Sequence, residues 1–189
     1  MEKHDSESRP ELPNLNEENR GFLKSVAREA IERHVKGQPP GRLLYENQSL
    51  KQGWGAFVTL KVRGNLRGCI GTIESQRPLP ETVAELAIKS ATYDPRFPPV
   101  GPAELDSLEL EISILGPLRE VHDINEIQIG RDGLIIESFG RHGLLLPQVA
   151  TEHGLNLQAF LAQTCLKAGL PPDTWKHGAK IFRFAAEVF

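Results

Sequence analysis

The sequence predicts an α+β fold, and three observations carry that reading. Apolar residues switch repeatedly between helical and strand spacing, the strands fall in hairpins, and no strand-helix-strand unit repeats. A chain of 189 residues is long enough for one well-buried core, or for one core split into two lobes. Over residues 15–35, Phe22, Leu23, Val26, Ala27, Ala30 and Ile31 recur at three- and four-residue spacing, which makes a helix with one apolar stripe. Asn14 or Asn16 can cap its start, Glu17 and Glu18 suit its first turn, and Gly37 with Pro39 and Pro40 stops it. Ala56, Val58, Leu60 and Val62 then alternate with Phe57, Thr59 and Lys61, a strand with one buried face. Gly64-Asn65 supplies a tight turn, and the chain returns through residues 66–70. Leu79, Val83, Leu86, Ala87 and Ser90 stripe a second helix over 80–91. Pro95, Pro98 and Pro99 prevent that helix from continuing. Leu108, Leu110, Ile112 and Ile114 mark another strand. Residues 134–137 and 144–146 read as two strands joined by a turn over 139–143, their continuous apolar runs suggesting burial on both faces. A third helix follows over 157–168, with Leu157, Phe160, Leu161, Thr164, Cys165 and Ala168 inward, and residues 181–188 close the chain as a strand. Residues 1–13 are polar and Pro-punctuated, and read as a flexible tail before a domain at 14–189.

Composition excludes several classes. A net charge of -3, with only 6% aromatic residues that do not interleave with basic ones, argues against a nucleic-acid binder. No apolar run approaches the roughly 20 residues that span a bilayer, and the polar start of the chain does not read as a secretory signal. Two distant cysteines, Cys69 and Cys165, imply no disulfide framework and fit a reducing cytoplasm. The six histidines show no His-x-x-x-His spacing and no Cys-x-x-Cys accompanies them, so no preformed metal site is expected. Phosphate-cradling glycine loops and a Gly-x-Ser-x-Gly elbow are absent from the sequence.

The run from Leu66 to Thr72 is the most informative segment. In an extended strand Arg67 and Cys69 share one face, while Leu66, Gly68 and Ile70 take the other. A guanidinium two residues from a thiol favours the thiolate, and Gly68 and Gly71 leave room for a substrate or for close backbone. The same residues also suit a small buried cysteine, with the glycines admitting a helix. Cys165 sits on an apolar stripe and reads as core. Asp94 and Arg96 occupy the proline-stiffened loop between Tyr93 and Phe97. They fit either polar groups held over a cleft or a local pair in which Asp94 accepts backbone bonds. Glu109 and Glu111 share the non-core face of their strand, as a solvated face or as carboxylates for acid-base work or for a cation.

Leu66-Arg67-Gly68-Cys69-Ile70-Gly71-Thr72 resembles the hallmark of the AMMECR domain family, known in prokaryotes as the AmmeMemoRadiSam system protein A type. The likeness continues through Asp94-Pro95-Arg96-Phe97-Pro98-Pro99-Val100, Leu110-Glu111-Ile112-Ser113-Ile114-Leu115, Gly143-Leu144-Leu145-Leu146-Pro147-Gln148-Val149 and Lys167-Ala168-Gly169-Leu170-Pro171. The likeness breaks near Leu155, where a tryptophan is expected in many relatives. The resemblance implies a two-lobed single domain of antiparallel or mixed sheets with flanking helices, the larger lobe built from both chain ends. It implies a cleft between the lobes with the hallmark beside it, and Arg67, Gly68, Cys69, Gly71, Asp94, Arg96 and Gln148 around that cleft. It also implies a prokaryotic setting with a Memo-type protein and a radical S-adenosylmethionine protein as partners, and it names no reaction and no cofactor. Two functions are open. In one, the chain is an enzyme or enzyme component acting on a small molecule or a protein side chain. Cys69 is then the nucleophile, Arg67 its electrostatic partner, and Asp94 or Glu111 the acid-base group, while Gly68, Gly71, Arg96 and Gln148 hold the ligand. In the other, it is a non-catalytic binding or adaptor domain that docks a partner protein or an anionic ligand, with Cys69 structural.

Overall fold

The computed structural model describes residues 12–189. It divides into two compact units, Leu12–Leu115 with Glu187–Phe189, and Gly116–Ala186. The larger unit thus draws on both ends of the described chain, as expected. Residues 1–11 of the expected tail lie outside the described residues.

In the larger unit, α1 (Glu17–Val35) starts at Asn16, whose side-chain oxygen accepts from the Asn19 N–H at 2.9 Å. It ends where Gly37 takes a left-handed φ of 65°. A four-residue helix, α2 (Gln48–Lys51), leads into β1 (Gly55–Val62) and β2 (Asn65–Thr72). The turn between these strands is Arg63-Gly64, both with positive φ, one residue earlier than expected. Next come α3 (Leu79–Thr92), a single 3-10 helix (Pro102–Ser107) and β3 (Leu108–Leu115). β1 pairs antiparallel with both β2 and β3, so it is the middle strand and β2 is an outer one. The alternation in β1 places Ala56, Val58 and Leu60 wholly inside. They pack in one cluster with Ile112 and Ile114 of β3, Val83, Leu86 and Ala87 of α3, and Leu23, Ala27 and Ile31 of α1. Phe189 exchanges two backbone hydrogen bonds with Ile112 (2.8 and 3.0 Å), and Glu187 accepts from the Arg20 guanidinium at 2.7 Å.

The other unit carries β4 (Arg119–Glu120), β5 (Asp132–Ser138), β6 (Arg141–Leu145), α4 (Pro147–Glu152), α5 (Leu157–Lys167) and β7 (Lys180–Val188), of which residues 180–186 belong to it. β5 lies between β6 and β7, antiparallel to each, and β4 pairs with β7. β5 is buried on both faces from Asp132 to Ile136, as its apolar run suggested. β6 is not: Arg141 and His142 are exposed and already part of the strand, because the connecting turn is only Phe139-Gly140. α5 closes on the hairpin, where a Cβ on Gly143 would meet the Ala168 nitrogen at 2.4 Å. Cys165 is fully buried beside Phe160 and Leu161, and burial pushes its thiol pKa up, so it is core. No helix among the described residues is long and apolar enough to cross a membrane.

Candidate site around Cys69

Outer strands present backbone groups that nothing in the sheet satisfies. At Cys69 the proline-stiffened loop supplies the missing partners. The Cys69 N–H donates to Asp94 Oδ2 at 2.8 Å, and Arg96 Nη2 donates to the Cys69 carbonyl at 3.4 Å. One carboxylate and one guanidinium thus do what a further strand would do. The pair is locked on itself, with Arg96 Nε to Asp94 Oδ1 at 2.9 Å, Nη2 to Oδ2 at 2.7 Å, and the Arg96 N–H to Oδ1 at 3.1 Å. The Asp94 side chain is 2% exposed. The Arg96 guanidinium, helped by the Cys69 and Arg96 N–H groups and opposed by burial, holds its carboxyl far below the usual carboxylate range. The local-pair reading of Asp94 and Arg96 describes this loop, with the added clamp on Cys69.

Arg67 bonds to groups other than the thiol. The ladder passes from Leu60 opposite Gly68 to Lys61 opposite Leu66, leaving Arg67 as the extra residue of a β-bulge. Its guanidinium forks onto Glu104, Nε to Oε1 at 2.7 Å and Nη2 to Oε2 at 3.0 Å. It also donates to the carbonyls of Pro98 (2.9 Å) and Pro99 (3.4 Å). Glu104 in turn accepts from the Gly101 N–H at 2.9 Å, and Arg67 first and Gly101 second hold its pKa down. The ring of Phe97 lies 6.0 Å from the Arg67 guanidinium and 5.5 Å from that of Arg96. The expected partnership of Arg67 with Cys69 is therefore replaced by one with Glu104, because the bulge turns the side chain toward the 3-10 helix.

The positions that a Cβ would take at the two glycines are filled. A Cβ on Gly68 would stand 2.2 Å from the Ser90 carbonyl oxygen of α3, and one on Gly71 would stand 2.2 Å from the Phe57 ring. Neither Cβ position is open, though Gly71 lines a groove of about 480 Å³ with Ile70, Thr72, Arg77 and Lys89. Gly68 lets α3 touch the sheet, and Ser90 fastens that contact: its hydroxyl accepts from the Ile70 N–H at 2.9 Å and donates to the Val58 carbonyl at 2.7 Å.

Cys69 itself is half-buried and free. It forms a cross-strand row with Thr59 and Glu111, and the Thr59 hydroxyl donates to its Sγ at 3.3 Å. Glu111 accepts from Lys61 Nζ at 2.8 Å. Glu109 is exposed, and its carboxylate accepts from the Gly64 N–H at 3.2 Å. On the same face, opposite Phe57, Ser113 is 1% exposed and its hydroxyl finds no hydrogen-bond partner among the described residues. The structure thus gathers Arg67, Gly68, Cys69, Asp94 and Arg96 along β2, sets Glu111 two strands away, and places Gln148 in α4 of the other unit. Among the described residues no group of three His, Cys, Asp or Glu is placed to hold a metal ion. The sequence reading missed Thr59, Ser90 and Glu104 as parts of this arrangement. Ser90 left a trace, a hydroxyl within an apolar stripe. Glu104 is 37 residues from Arg67 and left none.

The chain is 46% identical over 185 residues to a protein of Methanothermobacter thermautotrophicus, covering 94% of this chain and 96% of that one. It is 45% identical over 179 residues to protein MJ0810 of Methanocaldococcus jannaschii, covering 89% and 88%. The crystal structure of protein PH0010 from Pyrococcus horikoshii superposes with a TM-score of 0.79 at 41% identity, over 88% of each chain. The AMMECR1 family model matches residues 24–189, a span that takes in the β2 edge, its Asp94–Arg96 clamp and the Arg67–Glu104 fork, and the chain belongs to the AMMECR1 family.

Proposed function

We propose that this AMMECR1-family chain is a non-catalytic binding domain, whose recognition surface is the loop over residues 93–99 braced against β2. One observation carries the reading: the charged residues of the hallmark already bond within their own unit. Arg67 holds Glu104, Asp94 holds Arg96 and the Cys69 N–H, and Glu111 holds Lys61. The loop they fix is stiff and outward-facing, with Tyr93 66% exposed and the Arg96 side chain 49% exposed. Tyr and Arg on a rigid support are what binding hot spots use, because little entropy is lost on docking. Arg96 Nη1 has no hydrogen bond among the described residues, which suits a carboxylate on the partner. The family resemblance suggests a Memo-type or radical S-adenosylmethionine protein as that partner, and two free thiols suit a reducing cytoplasm. Isothermal titration of the full chain with each purified candidate tests this. One is expected to bind, and Tyr93→Ala is expected to weaken it about thirtyfold, the loss of a contact worth about 2 kcal/mol. If neither candidate binds, or Tyr93→Ala binds as well as the parent, the reading fails.

A second reading keeps Cys69 as a nucleophile, and the Thr59 hydroxyl at 3.3 Å from its sulfur favours it. The acid-base group of this reading is Asp94 or Glu111, and either must first leave its present partner, Arg96 or Lys61. Iodoacetamide labelling across a pH series separates the two: a Cys69 that alkylates no faster than a free thiol supports the binding domain.

A further inference from the structure

The two outer strands are not equally guarded. β2 carries a bulge at Arg67, and the side chains of Asp94 and Arg96 occupy the backbone of Cys69. β6, the outer strand of the unit Gly116–Ala186, pairs with β5 alone. Its sequence holds neither proline nor lysine, and its pairing with β5 runs from Ser138–Arg141 to Leu134–Leu145 without a bulge.

The hairpin fixes which backbone groups of β6 are left over. Phe139 and Gly140, with φ of 51° and 71°, form a two-residue turn, so the residues flanking it, Ser138 and Arg141, exchange the closing hydrogen bonds. Bonded pairs alternate from there: Ile136 with Gly143, then Leu134 with Leu145. The N–H and C=O of His142 and Leu144 therefore point away from β5. Among the described residues these groups have no hydrogen bond.

A row of donors and acceptors at strand spacing is matched by another extended backbone. The surroundings of β6 decide which. A Cβ on Gly143 would stand 2.4 Å from the Ala168 nitrogen and 2.7 Å from the Thr164 carbonyl oxygen, so the backbone of α5 lies over β6. A second copy paired β6 to β6 about Gly143 would bring its own α5 against this one, whereas a lone extended segment carries no helix. Arg141 shares the α5 face with Gly143 and is exposed. Its Nη1 donates to the Gly169 carbonyl at 2.7 Å, and its other side-chain nitrogens have no hydrogen bond among the described residues. A carboxylate opposite Arg141 is the favourable cross-strand pair, and β-branched side chains suit the half-buried Leu144 and Leu145.

We propose that the outer edge of β6 is a strand-addition site for an extended segment of a partner protein. The segment runs antiparallel to β6, with a carboxylate opposite Arg141 and β-branched residues opposite Leu144 and Leu145. The site lies in the other unit from the loop over residues 93–99 and does not depend on how that loop is used.

An NMR titration of the full chain with the end-blocked peptide Lys-Val-Val-Thr-Thr-Glu-Lys tests the assignment. In this register its glutamate faces Arg141, and its second valine and second threonine face Leu144 and His142. A Kd of about 0.1–1 mM is expected, with the largest shifts at the His142 and Leu144 amides. N-methylating the second valine and second threonine blocks the N–H groups aimed at β6 and should weaken binding at least about tenfold. N-methylating the first threonine, whose N–H points outward, should change it by less than about twofold. His142→Pro removes an edge donor without touching the β5 ladder, and should weaken the peptide about tenfold while the hairpin amides keep their shifts. If that variant unfolds, the two methylated peptides decide alone. No binding at about 10 mM, or two methylated peptides that bind alike, would overturn the proposal. A dimer of the chain alone that His142→Pro dissociates would assign the edge to a second copy, and overturn it too.

Discussion

Replacing Gly68 by alanine sets a methyl carbon 2.2 Å from the Ser90 carbonyl oxygen and 3.1 Å from its carbon, against ordinary contact at 3.4–4 Å. Both atoms are backbone, so neither can swing aside. Strand and helix must separate by about 1 Å, and overpacking of this kind costs about 1–3 kcal/mol. The same displacement lengthens the two bonds of the Ser90 hydroxyl, now 2.9 and 2.7 Å. Losing them adds about 1–2 kcal/mol, for a total of about 2–5 kcal/mol. In a domain of this size that lowers the melting temperature by roughly 5–15 °C. Gly71→Ala is the comparison: the atoms it meets, Cδ1 at 2.2 Å and Cγ at 2.3 Å, belong to the Phe57 side chain, which can change rotamer where a backbone carbonyl cannot, so its cost is expected to be the smaller of the two. Urea unfolding followed by tryptophan fluorescence measures both. In a Trp175→Phe background the remaining Trp54 is buried in the core of the larger unit and reports on it alone. If Gly68→Ala stays within about 0.5 kcal/mol of its parent, or Gly71→Ala is the worse of the two, the packing argument is wrong.

Two further outcomes follow from the charges and thiols. Asp94→Asn should cost about 1–3 kcal/mol near neutral pH, since it weakens the clamp on a carboxyl that is almost wholly buried. The folded-state pKa of Asp94 is depressed, so its stabilisation is complete above about pH 4 and fades as the pH falls below that value. Thermal melts should therefore show the gap between parent and Asp94→Asn narrowing from pH 6 to pH 3; a gap that widens would reject the assignment. Iodoacetamide followed by peptide mass spectrometry should modify half-buried Cys69 in the native protein and Cys165 only in denaturant. Equal labelling of both without denaturant would contradict the fold.

The elements with clean periodicity were legible in the sequence, and the site they support was legible only in part. The stripes over 15–35, 80–91 and 157–168 became α1, α3 and α5 with ends moved by a residue or two, because an apolar face facing a core repeats at 3.6 residues whatever lies opposite. The four-residue α2 and six-residue α4 passed unnoticed, being too short to display a period. On β2, alternation placed Arg67 beside Cys69, and a one-residue bulge undid it. No local pattern announces a bulge whose extra residue bonds to a carboxylate 37 residues away. The glycines of the hallmark stand out in the sequence, but a missing side chain shows only that something comes close. Whether it is a ligand, a helix carbonyl or an aromatic ring depends on chain segments far removed in sequence.

The pairing of Phe189 with Ile112, and of Glu187 with Arg20 across 167 residues, has a consequence for synthesis. A ribosome delivers α1 and the three strands β1, β2 and β3 early, yet the outer side of β3 at Ile112 stays open until residues 187–189 emerge. Through all that time the nascent chain carries an unfinished sheet margin. A stalled or C-terminally clipped product would keep it, and that margin is where self-association of such products should begin.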